Sequence, residues 1–380
     1  MPKRGLPIPS GQPNLEPRRQ AQSQRIGNRQ MSFRDKEKAR QTALKGGLFS
    51  AGAEAHGTYL GRSYSFCIGG QLAGENLHAD HRQRAITYFR ERGIGWHGGE
   101  RGGYASDLPS RHLCCSQSMC VNVLFPFMYQ PVALKRTLID LGYSVSEVLS
   151  FAPDEANHKE PGYIVFEWIG LCNYLGEHSR GRIATDGERK RGAGFTSADF
   201  AVRFMRDDGR VQIVLGEWKY TEFYISKSIQ KSRNGTDRLE IYSKLLSRSD
   251  CPIGHAGVGM EALFFEPFDQ LMRLQLLAFE MERCRELDAD YVSVLHVAPY
   301  QNQELMRVIG SPKLRPLGDD IHSVWSTLVS CGRFKGVSMK ELLASAVRHQ
   351  SSFGLSSGKY IEERYSGMCA QGSAQKVHGI

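Results

Sequence analysis

Two β-forming segments joined by a three-residue turn constrain the fold of this chain more than any other feature. The segments read TSADFAVRFMR (196–206) and RVQIVLGEWKYTEFY (210–224), and the turn between them is Asp-Asp-Gly, ending at Gly209. A three-residue loop with glycine in its last place is a common hairpin closure, because that residue takes a positive φ. The sequence therefore predicts an antiparallel β-hairpin.

The turn also predicts which residues of the two strands face each other. With Arg206 opposite Arg210, Asp199 stands directly opposite Glu217, with Cβ atoms about 5 Å apart. Lys219 lies two residues beyond Glu217, so the period of two puts its ammonium on the same face as both carboxylates. Paired carboxylates at the end of an apolar strand repel each other and are tolerated best with a divalent cation between them.

These side chains have the composition of a magnesium site. Mg²⁺ prefers oxygen ligands, which Asp199, Glu217 and the backbone carbonyl of Trp218 would supply, and Mn²⁺ would be a substitute. Lys219 would orient or activate the attacking water. Glu-x-Lys alone is a frequent tripeptide, and charge pairs at strand ends are often only solvated. The opposing Asp199 and a third acid in an apolar segment, Glu167, favour a functional site.

Segments around the hairpin alternate between helical and extended patterns. We predict helices over 78–93, 131–143, 239–248 and 266–287, and a buried strand over 290–299. Helices between strands predict an α/β fold with a mixed sheet flanked by helices. The polar and basic stretch over 177–194 is expected to form a loop that could lie along DNA.

The predicted organisation has four parts. Residues 1–45 form a disordered basic arm, 46–150 a mainly helical part, 151–310 the catalytic core, and 311–380 a C-terminal helical segment with a flexible tail. Residues 1–40 hold ten Lys or Arg against three acids, out of 49 and 40 in the whole chain. Such an arm is free to follow a phosphate backbone, and a solubilising leader without a partner is the alternative.

Composition excludes several classes of protein. No apolar run approaches the roughly 20 residues that span a bilayer, and the N-terminus lacks the apolar segment of a signal peptide. We therefore expect a cytoplasmic protein without membrane contact. Nine cysteines without CxxC spacing indicate reduced thiols, and the cluster of Cys114, Cys115 and Cys120 is interpreted as buried small side chains rather than a metal site.

The hairpin residues resemble the PD-(D/E)XK nuclease superfamily, whose sheet carries an acid on one strand and (D/E)-x-K on the next, here Asp199 and Glu217-Trp218-Lys219. Ala198 stands where the motif has proline. Five blocks resemble, more narrowly, a family of bacterial restriction endonucleases and span roughly 75–285: HADHRQRAITYFRERGIGWHGG, CCSQSMCVNVLFPF, FEWIG, TSADFAVRF and GEWKYTE.

The resemblance implies a restriction-endonuclease-like sheet and Mg²⁺-dependent hydrolysis of DNA phosphodiester bonds by an endonuclease. It also implies that Glu167, on a helix or a strand, joins Asp199 and Glu217 at the metal. Gln270 or Gln275 on the following helix would face the site, with a solvated helix face as the alternative. DNA rather than RNA follows from the resemblance alone. A homodimer would suit double-strand cutting, because two-fold symmetry matches palindromic sites.

Two other classes of function stay open at this point. A restriction-endonuclease-like fold could bind DNA with weak or no cleavage, since fold alone does not imply activity. A metallohydrolase could instead use His78, His81 and His97. That histidine pair lacks the glutamate of HExxH and is more typical of a surface or helix cap.

Overall fold

The computed structural model describes residues 31–97, 106–151, 162–179, 181–191, 195–232, 235–255 and 257–369. Its helices are α1 (Phe33–Ala43), α2 (Lys45–Leu48), α3 (Ala79–Glu91), α4 (Ser116–Leu124), α5 (Pro131–Asp140), α6 (Arg238–Leu246), α7 (Phe268–Arg283), α8 (Gln303–Met306), α9 (Ile321–Leu328), α10 (Met339–Ser352) and α11 (Ser357–Cys369). Its strands are β1 (Gly57–Tyr59), β2 (Arg62–Tyr64), β3 (Glu147–Leu149), β4 (Ile164–Trp168), β5 (His178–Ser179), β6 (Arg182–Ile183), β7 (Ala198–Met205), β8 (Val211–Trp218), β9 (Tyr291–Ala298) and β10 (Phe334–Ser338).

A six-stranded mixed sheet forms the centre of the protein. Its order is β10-β9-β8-β7-β3, and β4 also pairs with β7, beyond β3 along the same edge. Strands β8, β9 and β10 run parallel, whereas β7 is antiparallel to β8, β3 and β4. The parallel step from β8 to β9 needs a crossover, which contains α6 and α7. The predicted mixed α/β sheet is confirmed.

The β7–β8 hairpin has the predicted register. Pairing runs from Met205 opposite Val211 to Phe200 opposite Gly216, and the Arg206 N–H donates to the Arg210 carbonyl at 2.9 Å. Gly209 closes the turn at a φ of 79°, a conformation that glycine adopts without steric cost. One further step of the same register brings Asp199 against Glu217.

Helices cover both faces of the sheet. One face packs against α3, α4, α5, α10 and α11, and the other against α6, α7 and α9. Consecutive residues Val214 and Leu215 of β8 enter opposite apolar layers, as the alternation of a strand requires. Buried on both faces, the sheet is a rigid support for side chains at its ends. No helix among the described residues combines the length and apolar character needed to cross a bilayer.

The N-terminal end of the described chain belongs to the body. Helix α1 begins after Ser32, whose hydroxyl accepts from the Asp35 N–H at 3.1 Å. On the helix, Glu37 accepts a hydrogen bond from the Tyr220 hydroxyl at 2.6 Å, and Gln41 donates to the Arg364 carbonyl at 3.1 Å. The predicted boundary of the arm at residue 45 is therefore too late.

The charged composition of α1 explains why the arm boundary was predicted too late. Its Lys, Arg and acidic side chains are typical of a solvated segment, and the burial of some of them depends on contacts with residues far along the chain. The rest of the predicted arm, residues 1–30, lies outside the described residues, as does most of the tail predicted after about Ser366, namely residues 370–380. The predicted C-terminal helical segment corresponds to α9, α10 and α11.

Candidate active site

The ends of three adjacent strands, β4, β7 and β8, lie side by side at one end of the sheet and bring three acids together. Strand β8 ends with Glu217 and Trp218, while antiparallel β7 begins at Ala198 and carries Asp199 as its second residue. Strand β4 ends beside them, with Trp168 paired to Ala198. Glu167 therefore lies next to Asp199 in the sheet, and Asp199 next to Glu217.

Lys219 is held between β8 and α7. Its Nζ lies 2.6 Å from Glu217 Oε1 and donates to Gln270 Oε1 at 2.6 Å. The side chains of Lys219 and Glu217 are only 9% and 10% exposed, so solvent screens this ion pair weakly. The backbone N–H of Lys219 donates to the Val297 carbonyl of β9 at 2.9 Å, which fixes the chain beyond the strand end.

Lys219 is a cation in this arrangement. Burial disfavours its charged form, but the negative charge of Glu217 offsets this effect, and the pKa of Lys219 is raised well above its ordinary value. In this ion pair the Lys219 ammonium is a hydrogen-bond donor.

Asp199 is held by the backbone of the neighbouring strand. Its Oδ2 accepts the N–H of Trp218 at 2.6 Å. Burial, followed by the negative charge of Glu217, raises the pKa of Asp199 well above its ordinary value. The two carboxylates that the register brings together therefore repel each other.

Glu167 lies on strand β4, which settles the choice between helix and strand. Its carboxylate accepts from Gln117 Nε2 at 3.1 Å and from the Ser197 hydroxyl at 2.8 Å, and burial raises its pKa. Its φ of 51° is uncommon for a residue other than glycine. Backbone conformations of this kind persist where the surroundings enforce them and are frequent at functional sites.

The acids fit a divalent cation. Asp199 and Glu217 are oxygen ligands of the kind that Mg²⁺ prefers, and their mutual repulsion is what a cation between them would relieve. Among the described residues, no group of three or more His, Cys, Asp or Glu side chains is already arranged to bind one metal ion together. Mg²⁺ usually binds through one or two carboxylates, waters and substrate phosphate, so the pair is sufficient. The roles of Glu167 and of the Trp218 carbonyl as ligands stay predictions.

The two candidate glutamines of α7 differ in position. Gln270 contacts Lys219, as described above. Gln275 is 1% exposed and has no hydrogen-bond partner for either side-chain polar atom among the described residues. The structure thus brings Gln270 to the site and leaves Gln275 in the core.

Three further side chains at the site were missed in the sequence. Gln117 of α4 and Ser197 hold Glu167, and Glu266 precedes α7. Burial raises the pKa of Glu266, and the positive charge of Lys219 partly offsets the effect. The Oε2 atom of Glu266 is buried without a hydrogen-bond partner among the described residues. Ser197 is close to Asp199 in the sequence, whereas tertiary packing brings Gln117 and Glu266 to the acids, and no residue spacing marks any of the three as a partner of the acids.

The histidines of the alternative metal site do not form one. His81 is buried against Asn122, with His81 Nε2 3.3 Å from Oδ1, and burial lowers its pKa to about 4. His97 instead pairs with Cys115, a hydrogen bond that raises the pKa of His97 to about 9. Within the described chain no cluster of metal-binding side chains includes these histidines.

The cysteine cluster is largely core, as predicted. Cys114 and Cys120 are 3% and 2% exposed, and burial raises the pKa of both thiols. The negative charges of Asp199 and Glu167 add to the rise at Cys120, which places this thiol close behind the acids. Cys115 is only half-buried.

Comparison with known proteins assigns the chain to a family. The family described as "restriction endonuclease associating with ARP" matches residues 38–366, which include every side chain of the site described above. No curated protein and no solved structure gives a significant match to the chain. The match covers most of the sequence and agrees with the restriction-endonuclease-like resemblance of the hairpin. This chain therefore belongs to the family of restriction endonucleases associating with ARP.

Proposed function

We propose that this protein is a metal-dependent endonuclease that hydrolyses phosphodiester bonds of DNA, with Asp199, Glu217 and Lys219 at its catalytic centre. One observation carries the proposal. Two repelling, largely buried carboxylates lie side by side at the end of a rigid sheet, and a protonated lysine is bonded to one of them. Family membership supports a nuclease, and the geometry supports this particular centre.

Asp199 and Glu217 would hold Mg²⁺, or Mn²⁺ in its place, with Glu167 as a third acid. A divalent cation bound there would polarise the phosphodiester and acidify a bound water. The Trp218 N–H fixes one oxygen of Asp199 and leaves the other to bind. Gln117 and Ser197 orient Glu167 by one hydrogen bond to each of its two oxygens.

Lys219 would position the nucleophile. An ammonium has three protons, and Glu217 and Gln270 take one each among the described residues. The third is directed to the attacking water or to a phosphate oxygen, where it also neutralises developing negative charge. The water oxygen would bond to phosphorus as the bond to the 3′-oxygen breaks. The proton lost by the water passes to solvent and the 3′-oxygen takes a proton from solvent, so the expected products carry a 5′-phosphate and a 3′-hydroxyl. Gln270 is a positioning residue, because it acts through Lys219.

The test is cleavage of plasmid and linear DNA at low salt with Mg²⁺, Mn²⁺ or EDTA. The wild type should cut only with a metal, and Lys219→Ala should cut about 100- to 1,000-fold more slowly, the scale of losing one transition-state donor. Lys244→Ala, an exposed lysine on α6, is the charge-matched control and should cut like the wild type.

The outcomes separate the two remaining functions. Discrete fragments would add sequence specificity to a confirmed nuclease. DNA binding without any cleavage, equal in the wild type and Lys219→Ala, would contradict the nuclease and favour a DNA-binding protein on the same fold. A homodimer stays a prediction from symmetry, and sedimentation of the protein with and without DNA would decide it.

A further inference from the structure

A basic cleft lies beside the candidate active site. It is a concavity of about 370 Å³ between the end of α3, the residues after β4 and the segment 189–191, and its lining includes Arg92, Trp168, Arg189, Lys190 and Arg191. No acidic side chain among the described residues lines it. The cleft follows Glu167 in the chain, because Trp168 is the next residue and ends β4.

Arg189 anchors one wall of the cleft. Its guanidinium donates to the carbonyls of Ile169 and Gly170 at 2.7 and 3.0 Å, which ties the segment 189–191 to the chain leaving β4. Asp186 forms an ion pair with Arg189 at 3.7 Å, and Glu286 accepts from the Trp168 indole at 3.0 Å. Asp186 thus partly neutralises Arg189, whereas neither acid is paired with Arg92 or Arg191 among the described residues.

Two arginines that face the cleft, Arg92 and Arg191, have no acidic partner among the described residues. Arg191 lies 4.9 Å above the ring of Trp168, and its Nη1 is buried without a hydrogen-bond partner among the described residues. Arg92 lies 3.8 Å above the ring of Tyr88. Burial lowers the pKa of Arg92, and the positive charge of Arg191 lowers it further. Two guanidinium groups that repel each other around an open concavity form a site for an anion.

We propose that this basic cleft binds a backbone phosphate of the nucleic acid, on the strand that passes the carboxylates. Gly170 lies three residues after Glu167, at most about 10 Å of extended chain. DNA advances about 3.4 Å per nucleotide of one strand, so this phosphate lies within about three nucleotides of the acids. Arginine suits the task, because its planar fork binds phosphate through two hydrogen bonds. The inference rests on the proposed function and names the surface that holds its substrate.

The experiment is DNA binding in EDTA, where cleavage is excluded from the measurement. The affinity of the full chain for a labelled duplex is measured over a range of salt concentrations. Arg191→Gln and Arg92→Gln should each weaken binding about tenfold and lower the slope of log Kd against log salt by about 1. Arg210→Gln is the matched control, because Arg210 lies in the hairpin turn at the far end of β8 and should leave both quantities unchanged.

Thermal unfolding checks that each variant is folded. If Arg191→Gln does not fold, Lys190→Gln is used instead, because Lys190 is an exposed residue of the same cleft. Unchanged affinity and salt slope in the folded variants would overturn the proposal. If the wild type cuts DNA but the variants bind as it does, only the role of the cleft is overturned and the proposed nuclease function is unaffected. If the variants bind DNA more weakly and the wild type does not cut DNA, the phosphate-binding role of the cleft is supported and the proposed nuclease activity is contradicted.

A second arm separates the DNA backbone from free phosphate. Chloride is replaced by inorganic phosphate at equal ionic strength, and the binding of the duplex by the wild type and Arg191→Gln is compared. A loss of affinity in phosphate that occurs in the wild type and is absent in Arg191→Gln supports the proposal, because phosphate competes with the duplex at the cleft only if the duplex occupies it. A duplex affinity that is equal in the two proteins in chloride, with a melting temperature that phosphate raises only in the wild type, would assign the cleft to free phosphate and overturn the proposal.

Discussion

Consecutive residues of α7, Asp269 and Gln270, belong to two buried polar clusters of opposite character. Asp269 Oδ2 accepts from Arg238 at 3.1 Å and from Arg273 at 3.0 Å. Arg273 also donates to Thr196 at 3.1 Å. Burial opposes the charge on Arg273, yet the negative charge of Asp269 raises its pKa. In this ionic cluster of Asp269, Arg238 and Arg273, opposite charges meet.

Gln270 faces the cluster of Asp199, Glu217, Glu167 and Lys219, in which acids outnumber cations. Here the pKa of Asp199 and that of Glu167 are both raised, with burial as the main cause. Attraction between opposite charges stabilises the ionic cluster. The acids of the site, in contrast, repel one another and are held in place by the surrounding fold. Buried acids with perturbed pKa values at the edge of a sheet are candidates for function rather than for stability.

The largest effect on stability is expected in the ionic cluster. Asp269→Asn should lower the free energy of unfolding by about 3 kcal/mol, because it leaves two arginines without their shared acid. The value is at the low end for buried pairs, since Arg238 and Arg273 are 33% and 22% exposed. Urea denaturation in EDTA measures it. If the urea midpoint of Asp269→Asn equals that of the wild type, the ionic cluster does not stabilise the fold and the contrast between the two clusters is contradicted.

A divalent cation should stabilise the site and leave the ionic cluster unaffected. Mg²⁺ or Mn²⁺ at 100 times its Kd should raise the free energy of unfolding of the wild type by about 2.7 kcal/mol. The double variant Asp199→Asn/Glu217→Gln should lose this gain. The measurement is the melting temperature as a function of metal concentration. Equal gains in the wild type and the double variant would place the metal elsewhere.

The smallest effect is a dependence on pH at Asp199. Because folding raises the pKa of this carboxyl, its contribution to stability is present below the unfolded pKa, about 3.9, and is lost as pH rises through the folded value. In EDTA at pH 8, Asp199→Asn should therefore be more stable than the wild type by about 1 kcal/mol. The difference should vanish towards pH 4.

Paired urea titrations of the wild type and Asp199→Asn at several pH values measure that difference. A constant difference, or one that grows as pH falls, would contradict a raised pKa in the folded protein.

Local chemistry made the hairpin predictable. The Gly209 turn and the alternation of β8 fixed the register, and the register placed Asp199 against Glu217 before any tertiary contact was known. Lys219 followed from the period of two. These inferences needed only neighbours within one supersecondary unit.

Distant partners explain what the sequence did not reveal. Glu266 and Gln117 reach the acids from other elements, and α1 packs onto the body through Tyr220 and Arg364. The choice of Gln270 over Gln275 depends on how α7 is rotated against the sheet. The sequence indicates that the loop over 177–194 could lie along DNA, and the described part of this loop supplies arginines of the basic cleft, whose role stays a proposal.

The most direct measurement compares the same substitution at two buried glutamates. The side chains of Glu217 and Glu280 are 10% and 6% exposed, and Glu280 lies near the far end of α7, where it accepts from Arg283 at 3.0 Å. Single-turnover cleavage of a labelled duplex with Mg²⁺ is followed for Glu217→Gln and Glu280→Gln, each well below its melting temperature. The account predicts a loss of at least about 100-fold for Glu217→Gln and a change within about tenfold for Glu280→Gln. Wild-type cleavage by Glu217→Gln, or equal losses in both variants, would contradict it.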